Sequence, residues 1–195
     1  MLGRGVDQIL PHPGNPTLYE RNVRDARTYV DLAIRANGSI PQPADWSWPW
    51  GDALTVLDAV APDARVVNLE TSVTTCDGFA PGKAVHYRMN PANLPALSVA
   101  GPDVCALANN HVLDFGHRGL LDTLDQLAQA GVRAAGAGRN RAEAWEPAVI
   151  PLKQAGRIPA PFSPYSLFSS DFCVPRNGDR DSWLRGDWIR PEIFR

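Results

Sequence analysis

Residues 103–116 read Asp-Val-Cys-Ala-Leu-Ala-Asn-Asn-His-Val-Leu-Asp-Phe-Gly, and this stretch decides which fold the chain is expected to adopt. Its first half, Val104 to Ala108, is a short apolar run that follows the turn residues Gly101-Pro102. A run of this length behind turn residues is typical of a strand buried on both faces of a sheet. The strand then ends on the polar stretch Asn109 to His111, and a helical pattern begins near Arg118.

The residues at the end of this predicted strand have chemistry that suits a binding site. In open α/β sheets, ligands bind beyond the carboxyl ends of the strands. Asn110 and His111 would place an amide oxygen and an imidazole there, and both can hold a metal ion or a phosphate-like oxyanion. Asp114 is close enough in sequence to orient the His111 ring through a ring N–H. A simple turn between strand and helix explains the same residues without a function, because asparagine tolerates left-handed backbone.

A second strand-like segment ends on a carboxylate. The apolar residues within Val66 to Leu69 predict a buried parallel strand, and Glu70 follows directly. A glutamate at the carboxyl end of a buried strand is where a metal ligand or a general base belongs. Alone, Glu70 is better explained as a solvated carboxylate at the edge of a sheet. Together with Asn110 and His111 on another strand end, it favours a site.

The rest of the chain alternates between helical and extended patterns with short connections, which predicts an α/β fold with mostly parallel strands. We expect one domain over residues 1–152 and an atypical, proline-rich tail over residues 153–195. Helices are predicted over residues 22–36 and 118–130, between Gly51-Asp52 and Pro62-Asp63, and after Asn90-Pro91; strands are predicted over residues 85–89, 132–135 and 147–152. The apolar residues expected to face the core from the last three helices in chain order are Leu54, Leu57, Val60, Leu94, Leu97, Val99, Leu120, Leu121, Leu124, Leu127 and Ala128.

Bulk composition excludes several classes of protein. The formal net charge is −2 and the chain has no basic run, so we expect no nucleic-acid partner. No apolar run approaches the roughly 18 residues of a membrane span, and the amino-terminal residues do not resemble a signal peptide, so the expected location is the cytoplasm. Cys76, Cys105 and Cys173 show neither metal-ligand spacing nor a disulfide framework. Nothing in the composition indicates an oligomeric state.

Aromatic and cationic loop residues suggest two further binding surfaces. Trp46, Trp48 and Trp50 alternate with prolines. This pattern is compatible with an aromatic wall for a glycan or peptide, but it more often indicates a surface loop that folds back on the core. Lys83 and Arg88 are candidate contacts for an anionic substrate, although charged loop residues are usually just solvated.

Several motifs together resemble one family. That family is the capsule-synthesis, CapA-type proteins of poly-γ-glutamate biosynthesis, which are similar in fold to the calcineurin-like metallophosphoesterases. The similarity runs in order over roughly residues 1–152. It rests on Met1-Leu2-Gly3-Arg4-Gly5, Asn68-Leu69-Glu70-Thr71, Tyr87-Arg88-Met89-Asn90-Pro91, Ala108-Asn109-Asn110-His111-Val112-Leu113-Asp114-Phe115-Gly116 and Gly136-Ala137-Gly138.

The resemblance implies a partial α/β/β/α metallophosphoesterase-like sandwich with a divalent metal, Mn, Zn or Mg, at the strand ends. It assigns Glu70 and Asn110 to the metal and makes His111 the general acid or oxyanion-stabilising group. It makes Asp114 the residue that orients His111. The anionic polymer or small anionic substrate would be bound by Arg4, Lys83 and Arg88.

The chain also departs from the family pattern. The family's first strand normally ends in Gly-Asp-Val-Met-Leu-Gly-Arg, whose Asp is a metal ligand, and this chain starts at the Met of that motif. The family carries further histidines in its second half, whereas none follows His117 here. We therefore expect an incomplete member with an impaired metallohydrolase-type site, and we attribute the tail to a frameshift or a truncated gene. The alternatives are a non-catalytic partial member and a module that binds an anionic polymer.

Overall fold

A computed structural model describes residues 2–150 and the short strands at 174–175 and 188–189. It contains both helices and strands, with short 3₁₀ helices at Trp48–Trp50 and Pro91–Asn93. The helices are α1 Gly5–Ile9, α2 Arg27–Asn37, α3 Ala53–Val60, α4 Pro95–Ser98, α5 Gly116–Gln129 and α6 Arg141–Trp145. The strands are β1 Val66–Asn68, β2 Ser72–Val73, β3 Arg88–Met89, β4 Val104–Ala106, β5 Arg133–Ala135, β6 Val174–Pro175 and β7 Trp188–Ile189.

Parallel strands form two sheets, which confirms the predicted α/β fold. The first sheet has the order β1-β4-β5, with Asn68 opposite Ala106 and Ala106 opposite Ala135. The second sheet pairs β2 with β3 in parallel. Because β1 and β4 are parallel neighbours in register, the segments after Asn68 and Ala106 leave the sheet at the same edge. Strands β6 and β7 pair antiparallel, and the rest of the predicted tail lies outside the described residues.

The main core lies where α5 packs against both sheets. Buried Leu127 on α5 belongs to one cluster with Val73 and Met89 of the second sheet and Cys105 of the first. Thr123 on α5 accepts a hydrogen bond from the Val73 amide (2.9 Å), so a polar contact also joins the helix to β2. Burial confirms Leu120 and Leu127 as core residues, and Leu121 and Leu124 are half-buried. Ala128 is exposed and its predicted burial is wrong, because it lies outside the stripe that faces the sheets.

The two strands that carry the predicted site residues differ in burial. Val104 and Cys105 on β4 are buried, because β4 has a neighbour on each side in the first sheet. Val66 and Val67 on β1 are half-buried, so the predicted full burial of this strand is wrong. Among the described strands, β1 stands at the edge of its sheet.

Two helices differ from their predicted form. Helix α2 begins at Arg27 and not at residue 22, because Asp25 first forms an antiparallel bridge with Thr17. No residue of α3 is buried, and Val60 is 69% exposed, so its predicted inward orientation is wrong. Leu54 and Leu57 are half-buried and the other residues of α3 are exposed, so only a narrow side of this helix faces the interior.

Several other predicted segments are shorter in the structure. Strand β3 covers two residues of the predicted stretch 85–89. Leu94 and Leu97 are buried as predicted, but Val99 is exposed because the chain turns out of α4 before it. Of the predicted strand 147–152, only Ala148 makes a bridge in the described part, which ends at residue 150. Within residues 2–150, no helix is long and apolar enough to cross a membrane.

The tryptophan loop folds back on the core. Trp50 is half-buried against the main core cluster, and its indole N–H donates to the Ala96 carbonyl (2.6 Å). Trp46 is half-buried beside His12, whereas Trp48 is exposed. The three rings therefore do not share one exposed side.

Candidate functional site

The Asp114 carboxylate is the centre of the strand-end site. Asp114 follows β4 in the turn before α5, and its side chain is fully buried, with 0% exposure. One carboxylate oxygen, Oδ1, accepts from the Lys83 ammonium. The other, Oδ2, accepts from the Tyr87 amide (2.6 Å) and lies 2.8 Å from His111 Nδ1. A buried carboxylate needs such donors, because removal from water costs several kcal/mol when its charge is not compensated.

His111 is held on both its ring and its backbone. Its amide donates to Asn109 Oδ1 (3.0 Å), which closes the turn after β4. The Tyr87 ring lies beside the imidazole, with 4.1 Å between the ring centres. Because the Asp114 carboxylate is an acceptor, His111 Nδ1 carries the proton in this contact, and Nε2 is the other ring nitrogen.

Two asparagines connect Glu70 to the His111 turn. Asn68 Nδ2 donates to Glu70 Oε1 (2.9 Å) and Asn68 Oδ1 accepts from Asn109 Nδ2 (3.0 Å). The same Asn109 amide also donates to the Leu69 carbonyl (3.0 Å). The ends of β1 and β4 are thus joined by side-chain amides, and Glu70 reaches the turn through Asn68 and Asn109.

The three predicted cationic contacts are each held by a protein acceptor. Arg4 pairs with Glu20 (2.6 Å), and Arg88 pairs with Asp77 (2.8 Å). Lys83 pairs with Asp114 and also donates to the Asn110 carbonyl. Their role in substrate binding stays a prediction.

A small cleft lies between Arg4 and Arg88. His86 and Asp7 contribute to its lining, and its free volume is about 20 Å³, which is room for about one water molecule. Two buried nitrogens that belong to its lining residues, Arg4 Nε and His86 Nδ1, have no hydrogen-bond partner within the described part of the chain. This cleft is too small for a segment of a polymer.

A second buried carboxylate, Asp7 on α1, was not identified from the sequence. It accepts from the Gly14 amide (2.9 Å), the Asn90 amide (2.9 Å) and the Asn93 side chain (2.6 Å). Burial raises the pKa of Asp7, and the hydrogen bonds from Asn93, Asn90 and Gly14 oppose that shift. We call Asp7 and these three partners the Asp7 clamp, because they join α1 to the loop after it and to the segment after β3.

The described residues offer the types of ligand that a divalent metal ion accepts, but they offer too few of them. Glu70 and Asn110 offer a carboxylate and an amide oxygen, which hard cations accept. Protein metal sites usually supply three or more side chains, and residues 2–150 hold no group of three or more His, Cys, Asp and Glu suited to a metal. We therefore assign no chemical step to a metal ion.

Burial raises the pKa of Cys105 to about 12, as expected for a core thiol.

Comparison with known proteins identifies the family. Residues 1–163 match the family described as "Bacterial capsule synthesis protein PGA_cap". The chain belongs to this family. The match confirms the resemblance seen in the Asn-Leu-Glu and Asn-Asn-His motifs.

Two relatives come from Mycobacterium tuberculosis, strains CDC 1551 / Oshkosh and ATCC 25618 / H37Rv. Each is 55% identical over 158 residues and is named "Probable polyglutamine synthesis accessory protein". The aligned part is 81% of this chain and 42% of each relative. The chain thus spans less than half the length of these relatives.

Sequence reasoning did not assign three residues that build the site. Tyr87 places its amide on Asp114 and its ring on His111. Asn68 and Asn109 join the two strand ends. The motifs that carry the resemblance contain all three, but Tyr87 lies 27 positions from Asp114 and Asn68 lies 41 positions from Asn109, so the tertiary structure is needed to assign these contacts.

Proposed function

We propose that this chain acts in capsule-type polyglutamate synthesis as an accessory protein with a hydrolase-type site at the ends of β1 and β4. The observation that carries the proposal is His111 held against the buried Asp114 carboxylate within the matched region. The substrate would be an anionic polymer of the poly-γ-glutamate type or a small anionic fragment of it. The name of the two Mycobacterium tuberculosis relatives, "Probable polyglutamine synthesis accessory protein", supports an accessory role.

His111 is the proposed proton-handling residue. With Nδ1 directed to Asp114, Nε2 can give a proton to a leaving group or stabilise a developing oxyanion. Asp114 keeps the ring in one tautomer and one orientation, which is the role of the carboxylate in many histidine-based sites. The Tyr87 ring covers one side of the imidazole and restricts its rotation.

Glu70 and Asn110 are proposed as the part of a divalent-ion site, Mn, Zn or Mg, that the described residues supply. A readout independent of activity is the melting temperature with each ion. We expect Mn²⁺ in excess over its Kd to stabilise the wild-type chain and to stabilise Glu70→Gln and Asn110→Ala less. The absence of stabilisation by all three ions would remove the metal from the proposal.

The test of the function itself uses poly-γ-glutamate of defined length. We expect the wild-type chain to bind it and, with a divalent ion, to shorten it, as followed by size-exclusion chromatography. His111→Gln should retain binding and lose cleavage by about a hundredfold or more, which is a common contribution of a general acid. His12→Gln changes an exposed histidine and serves as the matched control. Equal cleavage by both variants would contradict the assignment of His111.

A second candidate function is binding without catalysis. The small number of metal ligands among the described residues favours it. In that case the wild-type chain would bind the polymer and leave its length unchanged with every ion tested. Binding that weakens with added salt would then indicate charge-based recognition of the polymer.

A further inference from the structure

The lysine in the loop before β3 has an arrangement that its sequence position does not explain. Lys83 was expected to meet an anionic substrate, but its ammonium points into the protein. It contacts the Asp114 carboxylate and the Asn110 carbonyl at once. Its side chain is only 27% exposed.

These two contacts tie the beginning of the His111 turn to its end. Asn110 directly precedes His111, and Asp114 holds the His111 ring. A single ammonium that bridges both positions fixes the turn from Asn110 to Asp114. It also supplies a full positive charge to a carboxylate that has no access to solvent, and a buried carboxylate is costly without such a charge.

The loop that presents Lys83 is itself anchored to the same turn. The Ala80 amide donates to the Asp114 carbonyl (2.8 Å), and the buried His86 ring lies 2.7 Å from the Ala80 carbonyl through Nε2. The Asp114 carbonyl and carboxylate therefore both bind this loop. These contacts hold the loop that carries Lys83 against the His111 turn. The Lys83 ammonium therefore lies beside Asp114 and does not rotate freely at the surface.

We propose that Lys83 is a positioning residue for His111 that acts through Asp114 and Asn110. It holds the carboxylate so that Oδ2 stays directed at His111 Nδ1 while Oδ1 is occupied. Without the ammonium, Asp114 Oδ1 would need water or a new donor, and the carboxylate would rotate away from the imidazole. The importance of this arrangement for turnover rests on the proposed function, whereas its effect on the His111 ring does not.

The experiment compares Lys83→Met and Lys83→Arg in the full chain. Nitrogen-15 spectra of the four histidine rings, assigned with His111→Gln, report the tautomer of His111 and the solvent exchange of its Nδ1 proton. We expect one fixed tautomer in the wild-type chain, and exchange about tenfold faster in Lys83→Met, because a charge-assisted contact is lost. Lys83→Arg should restore part of the protection. Arg118→Met, which removes the exposed cation paired with Asp122, is the matched control and should leave the ring unchanged.

The outcomes separate the two proposals. An unchanged His111 tautomer and exchange rate in Lys83→Met would overturn the positioning role, whatever the polymer assay gives. If Lys83→Met does not fold, Lys83→Arg and Lys83→Gln provide the same ring measurement, and wild-type behaviour in Lys83→Gln would overturn the role. Failure of the wild-type chain to bind or cleave the polymer would overturn the proposed function and leave the ring measurement standing.

Discussion

Asp114 and Asp7 are two buried carboxylates in one small protein, and they are held in different ways. Asp114 faces a lysine ammonium and a histidine ring, with one backbone amide. Asp7 faces two backbone amides and the side chain of Asn93, and Arg88 acts on it only at longer range. The surroundings of Asp114 include a histidine ring, whereas those of Asp7 join distant chain segments.

The kind of donor around each carboxylate separates a candidate site from a structural clamp. Both carboxylates are buried and both have several donors, so burial alone does not distinguish them. A partner that can exchange a proton and that keeps one ring nitrogen for other contacts marks the first as a candidate site. Donors that are all amides mark the second as structural, since amides do not titrate in the physiological range.

The largest expected effect is the loss of the Asp114 charge. Asp114→Ala leaves the Lys83 ammonium without its carboxylate inside the protein, and we expect a loss of about 3 kcal/mol in the free energy of unfolding. Urea denaturation measures it. Asp58→Ala is the control, because Asp58 is exposed and pairs with Arg65 at the surface. Equal losses for the two variants would mean that the buried ion pair stabilises the protein no more than the surface pair does.

Removal of the Asp7 carboxylate should cost somewhat less, about 2 kcal/mol for Asp7→Ala. The reason is that the Gly14 and Asn90 amides lose their acceptor but no charge is left unpaired. The same denaturation experiment measures the loss. A cost well above that of Asp114→Ala would reverse the ranking of the two carboxylates.

The pH dependence of the Asp7 clamp gives a separate test. Burial raises the pKa of Asp7 above its ordinary value of 3.8, so its favourable contribution is complete below that value and is lost as the pH rises through the folded-state pKa. Relative to Asp7→Asn, the wild-type chain should lose stability as the pH rises from about 4 towards neutrality. If the wild-type chain instead gained stability relative to Asp7→Asn as the pH rises, the raised pKa would be contradicted.

The Gly3→Ala substitution should weaken the hydrogen bonds to the Asp7 carboxylate more than those to the Asp114 carboxylate. A Cβ at this position would lie 2.6 Å from the Arg88 carbonyl oxygen, so Gly3→Ala must displace the start of α1, at a cost of about 1 kcal/mol. The Asn90 amide reports on Asp7 and the Tyr87 amide reports on Asp114. Hydrogen exchange should accelerate more at Asn90.

The control for this variant is Gly78→Ala, where the nearest contact of an added Cβ is an ordinary one at 3.7 Å. It should leave both amides unchanged. If Gly3→Ala accelerates the Tyr87 amide as much as the Asn90 amide, the two carboxylates belong to one cooperative unit.

The smallest effect is expected at Asp77, an exposed carboxylate beside Arg88. The hydrogen bond from Arg88 lowers the pKa of Asp77, so its contribution is present above the ordinary pKa and is lost as the pH falls through the folded-state value. Asp77→Asn should therefore lower the melting temperature slightly at pH 7 and have no effect in acid. This pH trend is opposite to that of Asp7, and parallel trends for the two residues would contradict the comparison.

The strand-end site could be predicted because its signal is local. The run from Val104 to His111 contains a strand, its polar end and the histidine, and Asp114 follows within one turn of chain. Burial of β1 could not be predicted, because it depends on which strands stand beside it. The exposure of Val60 was missed for the same reason: apolar spacing predicts which side of a helix is apolar but not whether another element covers it.

The α/β class, the family and the residues at the strand ends could all be predicted from the amino-acid sequence, because each of them depends on short motifs and periodicities. The packing of the chain determines which groups hydrogen-bond to the two buried carboxylates. Lys83 and Asp114 are 31 positions apart, and Asp7 and Asn93 are 86 positions apart. Such pairs have no local pattern, and their contacts exist only once the sheets and α5 have packed and excluded water from both carboxylates.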